Sequence, residues 1–343
     1  MFDAGWFYAL LRFEEASLTL RSALHHGLID RLDGRPCSLD SLQADFGFTH
    51  QGARTLVNLL VSMRILQPAD THWALTGLAK DCLSSDSAAS RAPYLSMGSG
   101  EAEAELWANL RGEFSAPPLY ASSGSSSLME DEDTQDLAEA IGFGLASRAK
   151  AFAPNLARVI RDEADETQQH ITDLGAGSPH VLQNCLAVMP HLSRATLADQ
   201  AAGLKFAKMM AGEHDQRLEF VEVDIFQTIP DSDLFVISNT AHDWLLEDYK
   251  NLVAGMANAI SPGGLVIVHE PLLVAEPDEE RQLEALWMAC YALTLFRLTV
   301  GQGSCYSVDE HDDVFRPFGF ARSSEPTPTM DGCSTLIYRQ GTT

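Results

Sequence analysis

Asp173-Leu174-Gly175-Ala176-Gly177-Ser178-Pro179 stands between a β-branched run, His170-Ile171-Thr172, and apolar residues at helical spacing, Val181, Leu182, Cys185, Leu186 and Val188. Two glycines at a strand-to-helix turn let backbone approach a ligand closely and aim helix N–H groups at it. Asp199 follows about one strand later, where a carboxylate accepts hydrogen bonds from a ribose diol. The combination reads as a site for a nucleoside-containing cofactor. A dinucleotide is disfavoured, because its fingerprint needs a third glycine at position 180 and this chain has His180.

The elements that must carry these residues alternate from residue 168 onward. Strand-like segments fall near 170–175, 194–199, 218–223, 233–238 and 264–270, with helical patterns between most of them. Such alternation makes an open, mostly parallel sheet with ligands at the carboxyl ends of its strands. Asp173, Asp199, Asp224, the stretch Ser238 to His242, and Glu270 all fall at such ends. Helix N-caps are a common alternative fate for acids after strands, and it stays open for Asp199 and Asp224. His180, His191 and His214 form no metal-ligand spacing with a nearby cysteine or carboxylate pair, so no metal site is expected.

The N-terminal third is helical in pattern. Apolar positions recur over 6–32 with a break at Gly27, Ser38 caps a short helix, and a turn at Gly47-Phe48-Thr49 opens a longer helix to about Met63. Ile65-Leu66 and His72 to Thr76 read as two strands around a turn at Pro68-Ala69-Asp70, completing a winged-helix order. His50, Gln51, Arg54 and Asn58 would lie on a recognition helix. Charge argues against DNA, since residues 1–100 hold 8 Lys+Arg against 10 Asp+Glu, with no basic stripe. The whole chain has 23 Lys+Arg against 48 Asp+Glu, a net charge of −25 that repels phosphate backbones. A structural or dimerising role is favoured instead. The boundaries read as 1–100 for this domain, 101–165 for a helical connector, and 166–343 for the cofactor domain. Within the connector, 115–129 is low in complexity and reads as a lid or a plain surface loop. Glu130-Asp131-Glu132-Asp133 reads as a solvated loop.

The 343 residues are 45% hydrophobic, enough for a sizeable core. No apolar run approaches a membrane span, Met1 to Trp6 lacks the pattern of a secretion signal, and the six scattered cysteines form no Cys-x-x-Cys pair. A cytoplasmic protein with reduced thiols is expected.

Val236-Ile237-Ser238-Asn239-Thr240-Ala241-His242-Asp243-Trp244-Leu245-Leu246-Glu247-Asp248 carries a further likeness. With Val223-Asp224-Ile225-Phe226, Ser261-Pro262-Gly263-Gly264 and the N-terminal winged helix, it resembles the metal-independent S-adenosylmethionine-dependent small-molecule O-methyltransferases. These include the plant caffeate and acetylserotonin types and bacterial relatives. The resemblance covers nearly the whole chain in order. It implies a Rossmann-like α/β domain with a mostly parallel seven-stranded sheet, preceded by a mainly α winged-helix domain that forms a homodimer. It also implies S-adenosylmethionine as cofactor and a hydroxyl of a small, aromatic or polyketide-like metabolite as methyl acceptor. Gly175 and Gly177 would face the methionine and ribose, Asp199 the ribose hydroxyls, and Asp224 the adenine amine, with Ile225 and Trp244 packing on the adenine ring. His242 would be the general base, Asp243 would contact the methyl acceptor or its approach, and Glu270 would hold the histidine. A neutral imidazole suits a base working near pH 7. Trp287, Met288, Tyr291 and Leu295 form a helical stripe that packs in the core or lines the acceptor pocket.

Three positions depart from the family pattern. Pro179 replaces a third glycine, Ser238, counted with the cofactor-binding residues, replaces a lysine, and Cys305 replaces a second glutamate. They keep two other readings open: a relative that binds the cofactor for hydroxylation or decarboxylation, and a non-catalytic winged-helix regulator.

Overall fold

The computed structural model describes residues 4–96, 100–115, 117–118, 135–274, 281–329 and 332–341. The acidic run 130–133 and most of 115–129 lie outside them. Gly27, at φ 69, separates α1 (Ala4–His25) from α2 (Leu28–Leu32). Ser38 caps α3 (Leu39–Phe46) through a reciprocal pair with Ser41, and Thr49 accepts the Gly52 N–H at the start of α4 (His50–Ser62). A hairpin follows, β1 (Leu66–Ala69) and β2 (His72–Leu75), paired antiparallel. Its turn is Asp70-Thr71 rather than Pro68-Ala69-Asp70. Pro68 sits within β1 opposite Trp73, a place a proline tolerates on a two-stranded edge, and Asp70 takes the positive φ of 55 that the turn needs. The helix, turn, helix, two-stranded order read from the sequence is present. Three further helices, α5 (Gly77–Leu83), α6 (Ala92–Leu95) and α7 (Glu101–Leu110), lie beyond it.

The chain divides into two compact units. One holds the residues up to Pro117 together with Leu273–Cys305, and the other holds Pro118–Leu272 with Tyr306 onward. Residues 273–305 thus group with the N-terminal unit, not with the sheet. The physical reason is the apolar face of the helix Gln282–Leu298, whose Ala289, Cys290, Leu293 and Phe296 share a core with Leu56, Leu59, Leu60, Leu106 and Trp107.

In the second unit α8 (Gln135–Glu163) precedes β3 (His170–Leu174), α9 (His180–Val188), β4 (Arg194–Asp199), α10 (Ala201–Ala211) and β5 (Leu218–Glu222). Next come β6 (Ser232–Ser238), a 3-10 turn at Ala241–Asp243, α11 (Leu246–Ala259) and β7 (Ile260–Glu270). α12 is Gln282–Leu298 of the first unit. The chain returns as α13 (Val308–Phe315), β8 (Phe320–Arg322), β9 (Thr327–Pro328) and β10 (Ser334–Gln340). Seven strands run in the order β5-β4-β3-β6-β7-β10-β8, and β9 adds a two-residue eighth beside β10. The five strands from the edge strand β5 to β7 pair in parallel, and β10 is antiparallel to β7 and β8.

Alternation along the buried strands builds two cores. Ile171, Leu197, Leu234, Val236, Leu265 and Ile267 face α8 and α9, while Leu174, Phe235, Ile237, Val266 and Val268 face α11 and α13. Both faces are covered, so the strands read as near-continuous apolar runs that end abruptly in polar residues. Phe235 is fully buried. Phe235→Ala is expected to lower unfolding stability by about 3–5 kcal/mol, because the wall around the lost ring relaxes only partly. Urea denaturation followed by circular dichroism checks this. An unchanged midpoint would contradict the packing described.

Candidate active site

Strand order reverses at β3, which sends its successors first to β4 and β5 and then, on its other side, to β6. Ligands of open α/β sheets bind at such a switch point, beyond the carboxyl ends of the strands. Two loops leave the sheet there, Gly175–Pro179 after β3 and Asn239–Trp244 after β6. They lie against each other. The Thr240 hydroxyl is within hydrogen-bond reach of the Leu174 and Gly175 carbonyls at 3.2 and 3.3 Å. A Cβ on Gly175, whose φ is 67, would meet Thr240 Cγ2 at 2.8 Å. Glycine is therefore required at 175 by both conformation and space.

An open cleft of about 1290 Å³, counting space open to solvent, lies over this point. Gly175, Gly177, Asp173, Asp199, Ser238, Asp243 and Trp244 line it. Asp199 Oδ2 accepts the Gly177 N–H at 2.7 Å and Oδ1 the Gln200 N–H at 2.7 Å, fixing the carboxylate at the end of β4. A Cβ on Gly203 would lie 2.5 Å from that carboxylate, so α10 approaches β4 only because residue 203 lacks one. Ile225, Phe226 and Trp244 supply an apolar wall, with the Phe226 and Trp244 rings edge to face at 4.7 Å. Ser238 is 3.1 Å from His269 Nδ1.

Beside the cleft, the end of β7 holds the turn that carries His242. Glu270 Oε1 accepts the N–H groups of both Thr240 and Ala241 at 2.8 Å, and Oε2 lies 2.6 Å from His242 Nδ1. His242 Nε2 is 3.6 Å from Asp243 Oδ1. Burial pushes the imidazole pKa down, but Glu270 and Asp243 outweigh it and the net shift is upward. Burial pushes Glu270 up, while the charge and hydrogen bond of His242 bring it below the ordinary range. Asp243 is raised to about 6 by burial, against an opposing pull from His242. Asp199 is raised by burial, offset in part by its two N–H donors. Asp173 is pushed well above the ordinary range by burial and by neighbouring Asp199.

The structure thus brings Gly175, Gly177, Asp199, Ile225, Ser238, Asp243 and Trp244 to one cleft. His242, between the lining residues Thr240 and Asp243 on the same turn, and Glu270 are buried and are not themselves among the lining residues. Asp224 sits between two lining residues, Val223 and Ile225, without being one itself. Its carboxylate accepts the Phe226 N–H at 3.0 Å and the Gln227 side-chain amide at 2.9 Å within its own turn. Pro179 stands at the N-cap of α9, where its missing N–H costs the helix nothing. No cluster that could hold a metal ion occurs among the described residues. None of the six cysteines is in a disulfide.

Sequence reasoning assigned no role to Arg148, Phe206, Gly203 or Thr240. Arg148, on α8, is the one cation among the described lining residues, and it contacts Cys333 Sγ at 3.0 Å. No local motif marks it. Thr240 was legible only as part of the stretch around His242.

Comparison with known proteins agrees with this geometry. A family model described as an O-methyltransferase domain matches residues 146–321. Acetylserotonin O-methyltransferase of Bos taurus is 26% identical over 337 residues, covering 89% of this chain and 88% of the relative. Aclacinomycin 10-hydroxylase RdmB of Streptomyces purpurascens is 30% identical over 174 residues, 50% of this chain and 44% of the relative. An O-methyltransferase family 2 protein from Planctomyces limnophilus, solved in complex with apigenin, shares the fold with a TM-score of 0.82 at 24% identity, covering 99% of this chain and 97% of that one. The family match spans a little over half of the chain and falls on the switch-point loops and the turn after β6, so the chain belongs to the O-methyltransferase domain family, enzymes that draw their methyl group from S-adenosylmethionine.

Proposed function

We propose that the protein methylates a hydroxyl of a small aromatic or polyketide-like metabolite, with His242 as general base. The observation that carries this reading is the Glu270–His242 contact of 2.6 Å. An ionised carboxylate only accepts, so Nδ1 carries the proton and Nε2 presents a lone pair. S-adenosylmethionine, when bound, supplies a methyl group on a positively charged sulfur that a hydroxyl oxygen displaces directly. The residues present fit that cofactor. Asp199 offers two oxygens to a ribose diol, Ile225, Phe226 and Trp244 offer an apolar wall to a purine, and Gly175 and Gly177 leave room for the chain between them. Arg148 is placed to meet a carboxylate, and the buried Asp173, whose Oδ1 has no hydrogen-bond partner among the described residues, meets positive charge. The substrate class rests on relatives named for acetylserotonin and aclacinomycin and on a structural neighbour holding apigenin.

In this mechanism His242 Nε2 takes the hydroxyl proton as the oxygen attacks. Glu270 keeps the ring oriented and stabilises the imidazolium that forms. Asp243, lining the cleft beside it, contacts the methyl acceptor. His242→Ala is expected to lower kcat by roughly 10²–10⁴-fold, as for loss of a general base. Its affinity for S-adenosylmethionine should hold within about tenfold. Unchanged turnover would sink the mechanism. The likeness to aclacinomycin 10-hydroxylase supports a second reading, hydroxylation at the same cofactor site. In that case the label of methyl-tritiated cofactor would stay out of the product.

The pH profile gives an independent check. The base must be neutral, and its pKa lies above the ordinary 6.5 because Glu270 and Asp243 favour the imidazolium. kcat/KM should therefore rise with pH through a midpoint above 6.5. Glu270→Gln removes one of those charges, so the midpoint should move to lower pH while kcat falls. A midpoint that stays put or climbs would contradict the assignment.

We also propose that the protein pairs with a second copy through the first unit, which exposes Leu11, Leu78 and Tyr94 by 66%, 72% and 72%. Sedimentation equilibrium at micromolar concentration is expected to give twice the chain mass. A monomer mass would overturn this.

A further inference from the structure

Resting on the cofactor reading above, we propose that Asp173 selects the charged methyl donor over its neutral demethylated product, by giving up a proton when the donor binds. Asp173 is the last but one residue of β3, it lines the cleft, and it is 1% exposed. Its Oδ1 is buried with no hydrogen-bond partner among the described residues. Oδ1 in that position lacks both water and a donor, and a buried charge so poorly solvated is costly enough to favour the neutral carboxyl. The neighbouring charges do not relieve it. From β4, Asp199 faces it with a like charge, and from α9 the buried Cys185 thiol is held in its neutral form. Asp243, on the turn after β6, adds a third acid to the cleft lining, and Arg148, on α8, is the one cation among the described lining residues. Burial and Asp199 both favour the protonated carboxyl in the free protein.

The two forms of the cofactor differ by one charge. S-adenosylmethionine has an ammonium, a carboxylate and a sulfonium, and so carries net positive charge. S-adenosylhomocysteine has lost the sulfonium charge and is neutral overall. The ammonium and carboxylate are common to both ligands, so the donor brings one more positive charge than the product to a cleft lined by Asp173, Asp199 and Asp243. That excess supplies what an ionised Asp173 lacks. The O–H bond of the carboxyl then breaks, its proton passes to the buffer, and the carboxylate faces the cation. The product gives less reason for ionisation, so it binds without the same proton release and leaves more readily. The linkage fixes the sign: donor affinity rises with pH over the range where the free carboxyl is protonated and the bound one ionised, and product affinity stays nearly flat.

Isothermal titration of the full-length protein with S-adenosylmethionine and with S-adenosylhomocysteine, in pairs of buffers of different ionisation enthalpy at matched pH values from weakly acid to weakly basic, reads the protons directly. The expected result is release of up to about one proton with the donor and markedly less with the product. Asp173→Asn, which imitates the protonated carboxyl, is expected to abolish the release. It should weaken donor binding by about tenfold or more while product binding changes by less than about threefold. Its melting temperature should stay close to that of the parent. Should the variant fail to fold, the pH dependence of the donor-to-product affinity ratio in the unaltered protein decides alone, and a flat ratio overturns the proposal. Equal proton release with both ligands, or an asparagine variant that keeps the preference, would also overturn it. If neither ligand binds the unaltered protein, the cofactor reading itself fails, a result distinct from all of these.

Discussion

The Glu270 carboxylate is the contact on which the active site depends. It ends the central strand β7, is 1% exposed, and divides its two oxygens between backbone and side chain. One oxygen accepts two successive N–H groups of the turn after β6, and the other holds His242. A buried carboxylate is stable only when nearly every lone pair is used, and here the three donors that use them are also the parts that must not move. Removing one partner of such a pair leaves an uncompensated buried charge and typically costs about 3–5 kcal/mol. The same interaction thus sets the path of the loop, the orientation of His242, the proposed base, and its protonation. The geometry proposed for catalysis is tied to the stability of the sheet.

Topology explains why the two loops meet where they do. Parallel strands leave the sheet at the same edge, and the reversal at β3 opens a crevice between neighbours whose crossovers go opposite ways. Gly175 and Thr240 fill the floor of that crevice to within contact distance, so the loops are fitted to each other before any ligand enters. Gly203 plays the corresponding part on the other flank, letting α10 close on the carboxylate of Asp199. Small residues here are demanded by close approach rather than by flexibility.

Much of this was legible in the sequence because a buried parallel strand leaves a plain mark, an apolar run that stops at a polar residue. Asp173, Asp199, Ser238 and Glu270 could be placed at strand ends for that reason, and the cleft contains the Gly175 and Gly177 loop as expected. What was not legible depends on folding at a distance. Arg148 belongs to a helix that precedes the sheet in sequence, and nothing in its neighbours marks it as facing a cleft built from 173–244. Asp224 looks the same in sequence as Asp199, yet the two carboxylates differ in what their own turns leave for them to do. One accepts from Phe226 and Gln227 within its own turn, while the other accepts from Gly177 and Gln200 at the cleft. Residues 273–305 show the same limit. Their helical period is plain, but which core accepts the apolar face of α12 is decided by Leu59, Leu60 and Trp107, more than a hundred and fifty residues earlier.

Electrostatics joins the composition of the chain to the cleft. A chain of net charge −25 disfavours anionic partners at long range, and the cleft repeats that bias at close quarters with Asp173, Asp199 and Asp243 around a single guanidinium. An acidic lining of this kind is costly while empty, since each carboxyl raises the cost of ionising the next. Burial lifts both Asp173 and Asp243 above the ordinary range, with Asp199 adding to it at Asp173 and Glu270 at Asp243. The cost falls when a cation enters, so the strain of the free site becomes a preference among ligands. A site with its acids fully paired inside the protein would have no such preference to offer. The unpaired oxygen of Asp173 is therefore better understood as a complement to a charge that arrives with the ligand than as a defect of the fold.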